Sequence, residues 1–274
     1  MNYASIEGLR IVYDHRRPPS GDGRGRGRVI YIHGTGCTGR VFERHLAVVA
    51  AEHEVVAIDL PGHGESEGSG FRGVADHAFF TAGLIEHLGW ERCVVAGHSL
   101  GGGIALAVAV YFPELVEGLL LIDTGARLRV DPAIIETARR TAAGRDIAAG
   151  DPRRGFAQRT PQAVVDETDI LRGECSPEVT YKDWIADDSF DFMSRLPHIL
   201  VPSLAVCGDE DEFTPVKYHE YFRDKLPDCR LEIISGSGHW PFVEQPDTFD
   251  RCVLRFLDEL ARKRAPTSGE NSDS

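Results

Sequence analysis

Three short stretches of this 274-residue chain carry side chains that could make and break an acyl bond together: Gly97-His98-Ser99-Leu100-Gly101, Gly208-Asp209-Glu210-Asp211 and Gly236-Ser237-Gly238-His239. A serine hydroxyl is a poor nucleophile at neutral pH and needs a neighbouring base. An imidazole suits that task because its ordinary pKa lies near the working pH. His239 is the candidate base for Ser99. A buried carboxylate must then fix the histidine tautomer and stabilise the imidazolium formed during attack. Asp211 is the candidate acid; spacing alone leaves Asp209 and Glu210 open, with Asp123, after another strand end, as a more distant rival. Attack on a carbonyl also builds an oxyanion that two backbone N–H groups must meet, and losing one such donor typically costs about 3 kcal/mol. The amide of Leu100, just after the serine, is the first candidate. Thr35, in the turn His33-Gly34-Thr35-Gly36, is the second. His33 reads as a brace for that turn through its ring nitrogens, and His98 as a packing or hydrogen-bonding neighbour of the nucleophile.

These residues work only if strand ends deliver them to one place. Cys93 to Ala96 is an apolar run, a sharp turn follows, and a helical stretch runs from Leu100 to Phe112. A turn tight enough to lift a serine off a strand end brings helix and strand backbones close, which explains the flanking glycines. The spacing predicts an opening hairpin (Tyr3 to Ile6 and Leu9 to Asp14), then strands at Val29 to Ile32, Val55 to Ile58, Cys93 to Ala96, Val116 to Ile122, Ser203 to Cys207 and Leu231 to Ile234. Helices are expected at Val41 to Ala51, Ala75 to Leu88, Pro215 to Leu226 and Pro246 to Leu260. Strand and helix alternate, and the strands read as continuous apolar runs: a mostly parallel eight-stranded sheet covered on both faces, of the α/β class. In such a sheet ligands bind at the carboxyl ends of the strands, where the serine, acid and histidine all fall.

The rhythm breaks between Gly125 and about Pro197, with helix starts at Thr160-Pro161 and Ser176-Pro177-Glu178. We read residues 125–197 as an inserted helical cap on a core of 1–124 and 198–264, with 265–274 a disordered polar tail. The chain has 30 Lys+Arg against 43 Asp+Glu, a net charge of −13. This disfavours nucleic acid and anionic membrane as partners. The Arg-Gly alternation at Arg24 to Arg28 reads as a solvated loop. Six scattered cysteines without a C-x-x-C pair read as reduced core thiols, and the absence of a signal-like or spanning apolar segment is consistent with a cytoplasmic location. No motif calls for a metal or organic cofactor.

The chain resembles the α/β-hydrolase superfamily, specifically its capped serine esterase-like members. His33-Gly34-Thr35-Gly36 is similar to their oxyanion turn, and Asp59-Leu60-Pro61-Gly62-His63-Gly64-Glu65-Ser66 to their D-x-x-G-x-G-x-S loop. Gly97 to Gly102 is similar to the nucleophile elbow, Gly208 to Asp211 to the G-x-x-D acid turn, and Gly238-His239-Trp240-Pro241 to the histidine loop. The resemblance implies an α/β-hydrolase fold and places the acid at Asp211. It also implies a small-molecule ester as substrate, cleaved through an acyl-enzyme. A thioesterase, a lactonase, a carbon–carbon bond hydrolase and a ligand receptor on the same scaffold are the competing expectations. The oligomeric state is not readable from these residues.

Overall fold

A computed structural model describes residues 1–19, 26–145, 151–172 and 175–264. The expected tail at 265–274, and residues 24 and 25 of the Arg-Gly run, lie outside the described residues.

Eight strands form one sheet: β1 (Asn2–Ile6), β2 (Leu9–Arg16), β3 (Arg28–Ile32), β4 (Glu54–Ile58), β5 (Cys93–His98), β6 (Val116–Ile122), β7 (Ser203–Gly208) and β8 (Cys229–Ile234). Their spatial order is β1-β2-β4-β3-β5-β6-β7-β8. β1 and β2 form a hairpin that pairs antiparallel with β4, and every other pairing is parallel. The hairpin turns at Glu7 and Gly8, which have φ of 50° and 80°, the positive values that a two-residue turn of this kind requires.

The helices are α1 (Glu43–Val49), α2 (Val74–His87), α3 (Leu100–Tyr111), α4 (Pro132–Ala142), α5 (Gln162–Arg172), α6 (Pro177–Ser189), α7 (Val216–Lys225), α8 (Pro241–Glu244) and α9 (Pro246–Arg264). The sheet separates two apolar clusters. Ile30 and Ile32 of β3 face one with Leu84, Ile104 and Phe222, while Val29 and Tyr31 face the other with Leu46, Phe249 and Val253. Successive side chains of one strand thus enter opposite cores, which is why the parallel strands lack polar alternation.

Several boundaries differ from the sequence expectation. The helix anticipated at Val41 to Ala51 opens as a tight 3₁₀ turn over Gly39–Phe42 and becomes α-helical only at Glu43. The short α8 ahead of α9 was not anticipated. Nor was α4, although Asp131-Pro132 carries the same cap-then-proline signature as the other two starts, and the Asp131 carboxylate accepts from the Ala133 amide.

The segment between β6 and β7 holds α4, α5 and α6 and no strand among the described residues. α6 packs on both α4 and α3. The order of strands decides where a site can form. From β3 the chain moves to β4 on one side and then returns to β5 on the other. β3 and β5 stay paired as far as Ile32 and Gly97, so it is the connections leaving their carboxyl ends that run to opposite sides and leave a crevice between them. The Thr35 turn follows β3 and Ser99 follows β5.

Candidate active site

Ser99 has φ 54° and ψ −119°, a region that L-residues avoid and that tight functional turns impose. Its surroundings explain how the strain is held. The Ser99 amide donates to Ile122 O at 3.0 Å, and the Thr124 hydroxyl donates to Ser99 O at 2.7 Å. A Cβ on Gly97 would stand 2.0 Å from Gly101 O, and one on Gly101 would stand 2.2 Å from Ile32 O. Strand, elbow and α3 fit together only because both positions lack a side chain.

A cavity of about 380 Å³ joins the strand ends to the inserted helices. Thr35, Ser99 and His239 line it from the sheet edge, and Ile134, Trp184 and Asp187 from the other side. A wider cavity of about 850 Å³ shares Thr35, Ile134 and Trp184 with it and continues between α4 and α6, reaching neither Ser99 nor His239.

Behind His239, its Nδ1 lies 2.9 Å from Asp211 Oδ2. Asp211 also accepts from the Thr214 hydroxyl at 2.5 Å, the Phe213 amide at 2.8 Å and the Thr214 amide at 3.1 Å. Burial opposes ionisation of this carboxyl. The positive field and hydrogen bond of His239, with the Thr214 bonds, outweigh it and hold the pKa below the usual carboxylate range. The neighbouring acids are turned elsewhere: Asp209 accepts from the Gly236 amide at 2.6 Å and Glu210 from the Gln158 amide at 2.9 Å.

Asp123, expected as a more distant rival, is not distant. Its carboxylate, that of Asp211 and a ring nitrogen of His239 all lie within 4.8 Å of one another. Asp123 is fully buried and accepts from the Gly208 amide at 3.0 Å. Burial first, and then the charge on Asp211, push its pKa well above the ordinary value. One carboxyl of the pair is ionised and the other neutral, because two like charges this close cannot both be held. The three side chains are spaced as metal ligands would be, but both Asp211 oxygens are already saturated by four donors, so the set is built for a proton rather than a cation. A second such group, Glu52, His53 and Asp258, is already bridged by Arg26, which pairs with both acids.

The oxyanion turn is braced from two directions. His33 Nε2 accepts from the Leu60 amide at 3.1 Å, and its Nδ1 lies 3.0 Å from Gly34 O. Burial, then the neighbouring His63, keeps this ring neutral. From α6, Asp183 accepts from the Gly36 amide at 2.8 Å and from His63 Nε2 at 2.9 Å. Burial works against a charge on His63, but Asp183 more than offsets it and its pKa stands well above ordinary. His98 lies against the His239 ring and its Nε2 donates to His239 O at 2.8 Å. Burial and the adjacent His239 keep it neutral.

Sequence reasoning missed Glu244. Its carboxylate accepts from the amides of Gly238, Trp240 and Ala157 and from the Thr160 hydroxyl, at 2.9, 3.1, 2.8 and 2.5 Å. It therefore ties the histidine loop to the inserted segment. The signal available was a glutamate five residues beyond the histidine, at the end of an otherwise apolar stretch.

A family model described as "Alpha/beta hydrolase family" matches residues 29–251. The chain belongs to this family and is an enzyme of the hydrolase class. Among its relatives is the pimeloyl-[acyl-carrier protein] methyl ester esterase of Neisseria meningitidis, 28% identical over 245 residues that cover 84% of this chain and 93% of that one. A thermophilic esterase from Thermogutta terrifontis superposes with a TM-score of 0.83 at 24% identity, covering 94% of this chain and 97% of that one. The enol-lactonase of Burkholderia xenovorans superposes at 0.81 with 21% identity, covering 94% and 100%. At those identities the two structures establish the fold. No helix among the described residues is long and apolar enough to cross a membrane, and no disulfide joins any of the six cysteines.

Proposed function

We propose that the chain hydrolyses a small carboxylic ester through an acyl-enzyme on Ser99. The observation that carries this reading is the strained serine opening onto the same cavity as a histidine whose far nitrogen is held by an ionised, buried aspartate. In this reading the Ser99 hydroxyl attacks the ester carbonyl and passes its proton to His239 Nε2. Asp211 holds the Nδ1–H tautomer and stabilises the imidazolium. The amides of Leu100, at the head of α3, and of Thr35 meet the oxyanion. Collapse expels the alcohol, which takes the proton from His239. A water then repeats the sequence on the acyl-enzyme and releases the acid. Asp123 stays neutral beside this relay.

The helices of residues 125–197 act as a cap over the core of 1–124 and 198–264. The support is that Ile134, Trp184 and Asp187 supply the wall opposite Ser99. A pre-steady-state burst of p-nitrophenol from a p-nitrophenyl ester, equal in amount to the enzyme and absent from Ser99→Ala, is the expected result. Unaltered turnover by that variant would overturn the reading.

A further inference from the structure

Helix α6 carries a second pair of buried acids, one turn apart on one face. Asp183 is 0% exposed; its Oδ2 is met by both His63 and the Gly36 amide, while its Oδ1 is buried without a partner. Asp187 is 2% exposed, lines the cavity that holds Ser99, and receives one hydrogen bond, from the Thr35 hydroxyl at 2.6 Å. Its second oxygen is buried without a partner. Among the described residues no cation pairs with it. Asp183 and Asp188 on its own helix carry the wrong sign. Across the cavity, Arg129 is committed to Leu128 O and Asp188 O, and Arg154 lies over the Phe213 ring. Asp131, Asp151 and Glu212 share that wall, and His239 serves Asp211. An uncompensated carboxylate in such a place is expensive, and a buried acid in that position keeps its proton instead.

We infer that Asp187 is a positioning residue for the oxyanion turn: as a neutral carboxylic acid it grips the Thr35 side chain from α6 and so sets the backbone amide that faces the substrate. The inference rests on the ester-hydrolase reading of Ser99 and goes beyond it by making the inserted helix part of the catalytic geometry. Burial, only partly offset by the Thr35 bond, raises the Asp187 pKa to about 8. When Asp187 ionises, a negative charge appears next to the place where the oxyanion develops, and turnover falls.

The test is kcat and KM for p-nitrophenyl acetate from pH 6 to 10 in wild type, Asp187→Asn and Asp187→Leu, with the Thr35 amide resonance followed by NMR over the same range. The expected wild-type kcat declines above about pH 8, and the Thr35 amide shifts with the same midpoint. Both changes vanish in Asp187→Asn, which holds a permanently neutral partner for Thr35. Asp187→Leu loses about tenfold in kcat at nearly constant KM, and the Asn variant restores most of that loss. An alkaline decline that persists in Asp187→Asn, or a Thr35 amide that does not respond to pH, would overturn the inference while leaving the hydrolase standing. A Thr35 amide that titrates with Asp187 in a protein with no turnover of the ester would instead sink the functional reading, and with it the catalytic part of the inference, while leaving the Asp187–Thr35 coupling standing.

Discussion

The sheet edge and helix α6 each place two buried carboxyls near the Ser99 cavity, which Asp187 alone of the four lines, and each handles them by the same rule from opposite starting points. At the sheet edge, Asp211 is saturated with four donors and ionised, and Asp123 beside it is neutral. On α6, Asp183 is paired with His63 and the Gly36 amide, and Asp187 is left with Thr35 alone. In both places a compensated acid makes its neighbour costly to ionise. The regions differ in what the compensated acid serves: Asp211 orients the base, whereas Asp183 holds the loop that meets the oxyanion.

The comparison breaks most visibly if the two sheet-edge acids are interchangeable. Asp211→Asn should lower kcat by about 10⁴-fold, because the histidine loses its tautomer and the imidazolium loses its counter-charge. Asp123→Asn should change kcat less than about tenfold, since it replaces one neutral group by another. Equal losses in a steady-state assay would mean that the acid role is shared.

Glu244→Ala should cost about 3 kcal/mol of unfolding free energy in a denaturant titration, because five donors lose one buried acceptor. Glu244→Gln should cost less. A loss within about 0.5 kcal/mol would mean that water takes over the carboxylate's place.

The α6 pair is sharpened by pH. Asp187 binds its proton more tightly when folded than when unfolded, so between the unfolded pKa of about 4 and the folded value of about 8 its ionisation progressively favours the unfolded chain. Wild type should therefore lose stability relative to Asp187→Asn as pH rises through that window. At pH 8 the variant should melt a few degrees higher. A pH-independent difference in Tm would contradict a neutral Asp187.

These two regions also mark the limit of what the amino-acid pattern disclosed. The sheet-edge residues are legible because strain and chemistry both restrict residue type. Gly97 and Gly101 are demanded by backbone contacts, the serine and the acid each follow a strand of continuous apolar residues, and the histidine follows the apolar-rich edge strand β8. The central parallel strands could be read for the same reason, and β1 and β2 by their alternation about Glu7-Gly8. Asp183 and Asp187 left no such trace. In the run Lys182-Asp183-Trp184-Ile185-Ala186-Asp187-Asp188 the acids look like a solvated helix face, and no local pattern says that the face is pressed against the Thr35 turn. The proximity of Asp123 to Asp211 was hidden for a related reason: β6 and β7 are neighbours in the sheet but lie 80 residues apart along the chain. The start of α4 at Asp131-Pro132, by contrast, carries a legible cap signature.

The most direct test of the whole account is trapping the acyl-enzyme. Wild type quenched during turnover of p-nitrophenyl acetate and digested for mass spectrometry should carry one acetyl group, on the peptide containing Ser99, and Ser99→Ala should carry none and release no burst. Acetylation elsewhere with Ser99 unmodified, or a burst of equal size from the variant, would contradict it.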